Sequence, residues 1–101
     1  PKLAEAFDGI NIKLMKSAGL REATRMIYAA RGTNMKVMMG CMIETAVGIS
    51  AAAQLSPLLD YCDLDGNVLI SNDPFEGCRN IKGKMELTEK TGLGVKLLES
   101  V

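Results

Sequence analysis

The sequence predicts an α/β fold in which parallel strands are joined by helices and followed by a short β-rich tail. Three observations predict it. Across residues 9–65 the hydrophobic period switches back and forth between two and about 3.6 residues, the mark of alternating strand and helix. The second helical stretch is crowded with alanine and other small residues, as a helix lying close on a sheet requires. Beyond Gly66 helical periodicity stops, and short apolar runs alternate with turn residues. The chain has 101 residues, 48% of them hydrophobic and 24% charged, which is the composition of a globular domain or of a piece of one.

Each element has its own warrant. Gly9 to Met15 alternates apolar and polar residues and reads as a strand. Ser17-Ala18-Gly19 offers N-cap chemistry, and Leu20 to Arg31 carries Leu20, Ala23, Ile27 and Ala30 at helical spacing. Arg31 and Gly32 supply a C-terminal cation and a closing glycine. Met35 to Met39 is a second strand, Thr45 to Leu55 a second helix ended by Pro57, and Asp60 to Asp65 a third strand. Val68–Ile70, Met85–Leu87 and Val95–Leu98 read as short strands, separated by turn signals at Asn72-Asp73-Pro74 and Lys82-Gly83-Lys84.

Strands joined by helices are nearly always parallel with right-handed crossovers. A complete eight-stranded barrel needs roughly 250 residues, so this sequence holds well under half of one. Three parallel strands with bare edges need covering by a larger body or by partners. The expected division is a partial barrel over residues 1–66 and a β-rich segment over 67–101. Because the chain opens on Pro1 and not on Met, it is expected to be processed or to begin inside a longer gene product.

Composition also excludes. Twelve basic residues balance twelve acidic ones, so no electrostatic footprint for nucleic acid exists. No apolar run approaches the roughly 20 residues of a membrane-spanning helix, and no signal peptide or lipidation motif is present, which points to a cytoplasmic location. With no histidine, a Cys/His zinc site and a Ser-His triad are both impossible within this sequence. Cys41, Cys62 and Cys78 form no C-x-x-C pair and are odd in number, so they read as small buried hydrophobes in a reducing compartment.

Some side chains do not suit a core. If Ile10, Ile12 and Leu14 face the helices, Asn11 and Lys13 face the barrel interior. A lysine at the end of a barrel strand stands where active sites lie and is a candidate base, or else its stem carries the amine out to solvent. Asp63 and Asp65, two apart on a strand, point the same way roughly 6 to 7 Å apart. Their repulsion calls for a cation, whether a metal, a basic side chain or a ligand's ammonium group; the alternative is a solvated strand-end turn in which they cap backbone. Glu44, just ahead of a helix N-terminus, suits a helix-start role. Lys16 is expected to point away from Lys13.

Gly9-Ile10-Asn11-Ile12-Lys13-Leu14-Met15-Lys16-Ser17-Ala18-Gly19-Leu20 resembles the sixth barrel strand and following turn of the muconate-lactonising subgroup of the enolase superfamily. Gly40-Cys41-Met42-Ile43-Glu44, Asp63-Leu64-Asp65-Gly66, Asn72-Asp73-Pro74-Phe75 and Gly92-Leu93-Gly94-Val95 resemble its seventh strand, eighth strand and C-terminal segment, in order. The Asp-x-Asp pair looks most like that of the dipeptide epimerases, typified by L-Ala-D/L-Glu epimerase. The fold implied is the C-terminal portion of a modified TIM barrel, strands six to eight with two helices. Its β-rich tail would pack on the capping region.

The resemblance implies a 1,1-proton transfer at the α-carbon of a dipeptide through an enolate. Lys13 matches the sixth-strand catalytic lysine, and Asp63 and Asp65 match the carboxylates that hold the substrate's α-ammonium group. Cys41, Met42 and Ile43 match the seventh-strand segment that passes close to the substrate through its backbone. Mg²⁺ is implied as cofactor, its ligands on strands absent from this chain, as are the second lysine pair and the capping domain. The implied partners are a dipeptide, the remainder of the barrel and the capping domain or partner chains, and further copies in a homo-oligomer. Position 18 is Ala where the family usually has Gly, which is tolerable if the backbone there avoids positive φ. Cycloisomerase, o-succinylbenzoate synthase and N-acylamino acid racemase are rival reactions on the same frame, and a non-catalytic half-barrel assembly module is a rival of another class. Without the metal ligands this polypeptide alone is expected to show no epimerase turnover when assayed with added Mg²⁺.

Overall fold

In the computed structural model, which describes residues 2–99, three strands form one parallel sheet in the order β1-β2-β3. β1 is Gly9–Lys13, β2 is Lys36–Gly40 and β3 is Tyr61–Cys62. Lys13 stands opposite Gly40, Asn11 opposite Met38, and Met38 opposite Tyr61. The crossovers are α1, Leu20–Arg31, and α2, Ala46–Ala53. The α/β reading and the order of its first five elements therefore hold.

The core lies between sheet and helices. Ile12, Val37 and Met39 from the strands are fully buried against Ala23, Ile27 and Ala30 of α1 and Ile49, Ala52 and Ala53 of α2. Alternation along β1 thus works as read, with Ile12 inside and Asn11 on the opposite, exposed face. α1 is amphipathic and shows solvent its polar side. α2 is buried nearly all round, because the C-terminal segment covers the side that the sheet does not. Its small residues let that segment approach. The Cys78 N–H donates to Ser50 Oγ at 2.9 Å, and a β-carbon at Gly77 would collide with the same hydroxyl.

Several boundaries differ from the periodicity. β1 stops at Lys13, and Leu14–Lys16 forms a 3₁₀ turn where the alternation ran on to Met15. The third strand shrinks to Tyr61–Cys62. Val68 to Ile70 is no strand: Gly66–Leu69 forms a 3₁₀ turn. In the tail, Phe75–Glu76 (β4) pairs antiparallel with Lys96–Leu97 (β7), and Arg79–Ile81 (β5) with Lys84–Glu86 (β6). β4 and β5 are too short to carry a readable period. Lys82 and Gly83, both at positive φ, make the two-residue hairpin loop that the turn signal foretold. The tail's contact with a capping region concerns a part of the fold that this chain does not contain; here the segment packs on α2.

The helix ends also differ. Ser17 does not cap α1; its Oγ donates to the Leu14 carbonyl oxygen, and the N-cap is Gly19 at φ 98°. Gly32 keeps right-handed helical geometry, and the left-handed residue closing that end is Asn34 at φ 57°. Ala18 sits at φ 59°, the conformation that the tolerance of alanine there was supposed to avoid. At the N-terminal edge of the sheet, the Val37 N–H and Arg31 Nη1 both donate to Asp60 Oδ2, at 2.8 and 2.6 Å. Lys36 Nζ lies 3.7 Å from Asp60 Oδ1. These contacts, the Val37 amide foremost and then Arg31, hold the Asp60 carboxyl below its ordinary range.

Two predictions follow from these backbone and charge positions, both for the full-length protein that carries this segment. Ala18→Gly removes the β-carbon from a left-handed position and raises stability by about 0.5–1 kcal/mol, read from urea unfolding at unchanged m. Asp60 has a depressed folded-state pKa, so its contribution is full above the ordinary carboxylate range and drains away as pH falls below about 4. Asp60→Asn therefore lowers the thermal midpoint at pH 7 and flattens its decline between about pH 5 and pH 3.

Candidate functional site

All three parallel strands end at one edge of the sheet, and the candidate residues stand on or just beyond those ends. Lys13 is the last residue of β1, extended at φ −118° and ψ 119°, and half-buried. Its register partner is Gly40, the last residue of β2. The Asp63 N–H donates to the Met39 carbonyl oxygen at 2.9 Å, which carries the ladder one step past β3 and sets Asp63 beside Gly40 in the same row. By alternation Asp63 shares the face of Tyr61, Met38 and Asn11, the face turned away from the helices. Buried Leu64 takes the helix side.

Asp65 is oriented by a different cause. Its backbone is not extended (φ −109°, ψ 3°), so the period-two argument that aligned it with Asp63 fails there. Its direction is set by loop packing. A β-carbon at Gly66 would collide with the Met42 carbonyl oxygen and stand 3.2 Å from Cys41 Sγ. Only a glycine lets the loop leaving β3 lie directly on the loop leaving β2. That approach brings Cys41 Sγ to 3.9 Å from Asp65 Oδ1. Asp65 begins the 3₁₀ turn without a side-chain cap, so the capping alternative does not describe its carboxylate. Neither Asp63 nor Asp65 has an ion-pair partner among the described residues.

The β2 exit loop carries the rest. Lys13 Nζ lies 3.9 Å from Met42 Sδ, so the ends of β1 and β2 are bridged as those of β2 and β3 are by Cys41 and Asp65. Ile43 is 69% exposed beside Met42. Glu44 is buried, with Oε2 accepting from the Met42 N–H at 2.9 Å and Oε1 unpartnered beside Gly48. The α2 cap comes from elsewhere. Asp73 Oδ2 accepts from the Ala46 N–H at 2.6 Å and Oδ1 from the Phe75 N–H at 2.9 Å. Glu44 thus braces the loop, and the residue at the helix start is one that sequence reading had filed as part of a turn. No local signal could have found it, since the bond spans 27 residues.

The candidates do not share one pocket. Lys13 lines a depression of about 250 Å³ along the open edge of β1, with Asn11, Lys16, Ser17 and Met26. Ile43 lines another, with Met15 and Thr45. Of the cysteines only Cys78 is buried; Cys41 is half-buried and Cys62 exposed. Local desolvation, then the Asp63 and Cys41 charges, push the Cys62 thiol above its ordinary range, the opposite of an activated nucleophile. Among the described residues no group of three or more Asp, Glu, Cys or His could hold a metal ion, so this stretch of chain does not fit a Mg²⁺ site. No helix among them is long and apolar enough to cross a membrane.

Comparison with known proteins extends the geometry. The chain is 55% identical over 93 residues to an L-Ala-D/L-Glu epimerase of Bacteroides thetaiotaomicron, covering 92% of this chain and 24% of that protein. Its fold superposes with a TM-score of 0.87 on a dipeptide epimerase of Cytophaga hutchinsonii complexed with Mg and the dipeptide D-Ala-L-Val. There the identity is 31%, over 97% of this chain and 28% of that one. It is also similar to an N-succinyl Arg/Lys racemase of Bacillus cereus, with a TM-score of 0.89, 27% identity and coverage of 97% and 28%. The chain spans about a quarter of the length of these relatives. The family of enolase C-terminal domain-like proteins matches residues 3–101, which include every strand of the sheet and both crossover helices, and the chain belongs to that family.

Proposed function

We propose that this chain is the C-terminal part of a Mg²⁺-dependent dipeptide epimerase of the L-Ala-D/L-Glu type, an isomerase that moves a proton at the substrate's α-carbon through an enolate. The observation that carries the reading is a half-buried amine, Lys13, and two carboxylates without an ion pair among the described residues, Asp63 and Asp65, at or just beyond the same end of one parallel sheet. In this reading Lys13 takes or returns the α-proton on one face of the substrate. Asp63 and Asp65 grip its α-ammonium group, the cation that two neighbouring carboxylates need. Cys41 and Ile43 border the substrate through the loop that also holds Met42.

An enolate derived from a carboxylate carries two negative charges and needs concentrated positive charge opposite it. One lysine does not supply that, and no metal ligand set lies among these residues. The metal ligands, the second lysine, the remaining barrel strands and the capping domain against which residues 67–101 pack belong in this reading to the rest of the protein. Those strands also close the bare edges of β1 and β3. The enzyme is, in the same reading, cytoplasmic and homo-oligomeric, and acts on neither nucleic acid nor membrane.

Likeness to an N-succinyl amino acid racemase favours one rival, a substrate whose amine is acylated. The carboxylate pair argues against it, because an acylated nitrogen brings no charge to neutralise the two anions. The discriminating experiment compares L-Ala-L-Glu with its N-acetyl derivative on the full-length enzyme. Acetylation is expected to abolish detectable turnover. Asp63→Asn and Asp65→Asn should each raise KM for the free dipeptide about ten-fold or more, the usual cost of losing a charge-assisted hydrogen bond. Equal turnover of the two compounds would overturn the dipeptide assignment in favour of the N-acyl substrate.

A further inference from the structure

The one side-chain hydrogen-bond partner of Lys13 among the described residues is a thioether, Met42 Sδ at 3.9 Å. A carboxylate partner pins a proton on an amine by charge. Sulfur is neutral and a weak acceptor, so it can take one N–H without placing a charge beside the amine. Core filling does not account for Met42, whose residue surface is 42% exposed. Its backbone, by contrast, is fixed on both sides. The Met42 N–H is bound by the buried Glu44 carboxylate, and its carbonyl oxygen abuts Gly66, where no β-carbon fits. A flexible side chain on so firmly held a peptide has its reach set by the loop, and that reach ends on the lysine.

We infer that Met42 is a positioning residue for Lys13: its sulfur orients the amine at the end of β1 so that the remaining directions of the nitrogen face the substrate's α-carbon. The inference rests on the reading of Lys13 as the acid/base. In that step the α-proton passes to the Lys13 nitrogen while the C–H electron pair stays on the substrate as the enolate, and the reverse transfer restores both.

A single lysine serves a single face, which gives the test its internal control. In the full-length enzyme in D₂O, with Mg²⁺ present, loss of the α-proton is followed by NMR for L-Ala-L-Glu and L-Ala-D-Glu separately. Lys13→Ala identifies the epimer whose exchange depends on Lys13. Met42→Leu keeps the bulk and removes the sulfur, whereas Met42→Gln restores an acceptor at similar reach. For that epimer relative to the other, Met42→Leu is expected to lower kcat about three- to ten-fold, the worth of a modest hydrogen bond. KM should stay within about two-fold, and Met42→Gln should recover at least half of the lost ratio. If Met42→Leu slows both epimers equally, or the Gln variant does no better than the Leu one, Met42 is packing only and the inference fails while Lys13 keeps its role. If Lys13→Ala leaves exchange from both epimers intact, the proposed function fails and takes the inference with it.

Discussion

Parallel register is the constraint on which the rest of this structure depends. Two helical crossovers return the chain to the same end of the sheet each time, so the exits of β1, β2 and β3 lie side by side. Register then decides which side chains share a row. With Lys13 opposite Gly40 and the ladder continuing to Asp63, an amine, a glycine and a carboxylate fall in line across the sheet. Gly40 leaves room in the middle of that row for the Asn11 side chain: a β-carbon there would stand 2.9 Å from the Asn11 Oδ1. Gly66 does the same for the loops above. Two absent side chains matter to this edge as much as the charged ones present.

The two ends of the sheet differ in how their charged groups are partnered. At the N-terminal end, Asp60 is met by a backbone amide, a guanidinium and an ammonium, and its charge is spoken for within the fold. At the C-terminal end, among the described residues, Asp63 and Asp65 have no ion pair, the side-chain partner of Lys13 is a thioether, and Glu44 keeps one oxygen without a donor. Asp63 and Asp65 are exposed, so water satisfies them, whereas the buried Glu44 carboxylate oxygen is the one whose missing donor costs stability.

How much of this was legible depended on whether the cause was local. β1, α1 and β2 announce themselves because Ile10 and Ile12, or Ala23, Ile27 and Ala30, repeat at the period of their own element. Val68 to Ile70 misled because a run of three apolar residues fits a short strand as well as a 3₁₀ turn with its exit, and Gly66 packs the chain into the latter. Ala18 shows the limit of arguing from residue type. Alanine dislikes positive φ, yet the turn from β1 into α1 imposes it. The candidate residues were found by type and spacing. Their connections were not, because Lys13 to Met42 and Cys41 to Asp65 join segments 29 and 24 residues apart.

Asp73 gives the tail a meaning beyond decoration. Its carboxylate seats the first amide of α2, and a few residues later the Cys78 amide is tied to Ser50 in the middle of that helix. Residues 73–78 therefore work as a splint along the element that backs the Cys41–Glu44 loop, and length changes there would travel straight into the loop. The β5–β6 hairpin touches its surroundings chiefly through Met85 and turns on Lys82-Gly83 in open space. Within this chain that tip can be lengthened, shortened or re-charged without moving the sheet end on which Lys13 and Asp63 stand.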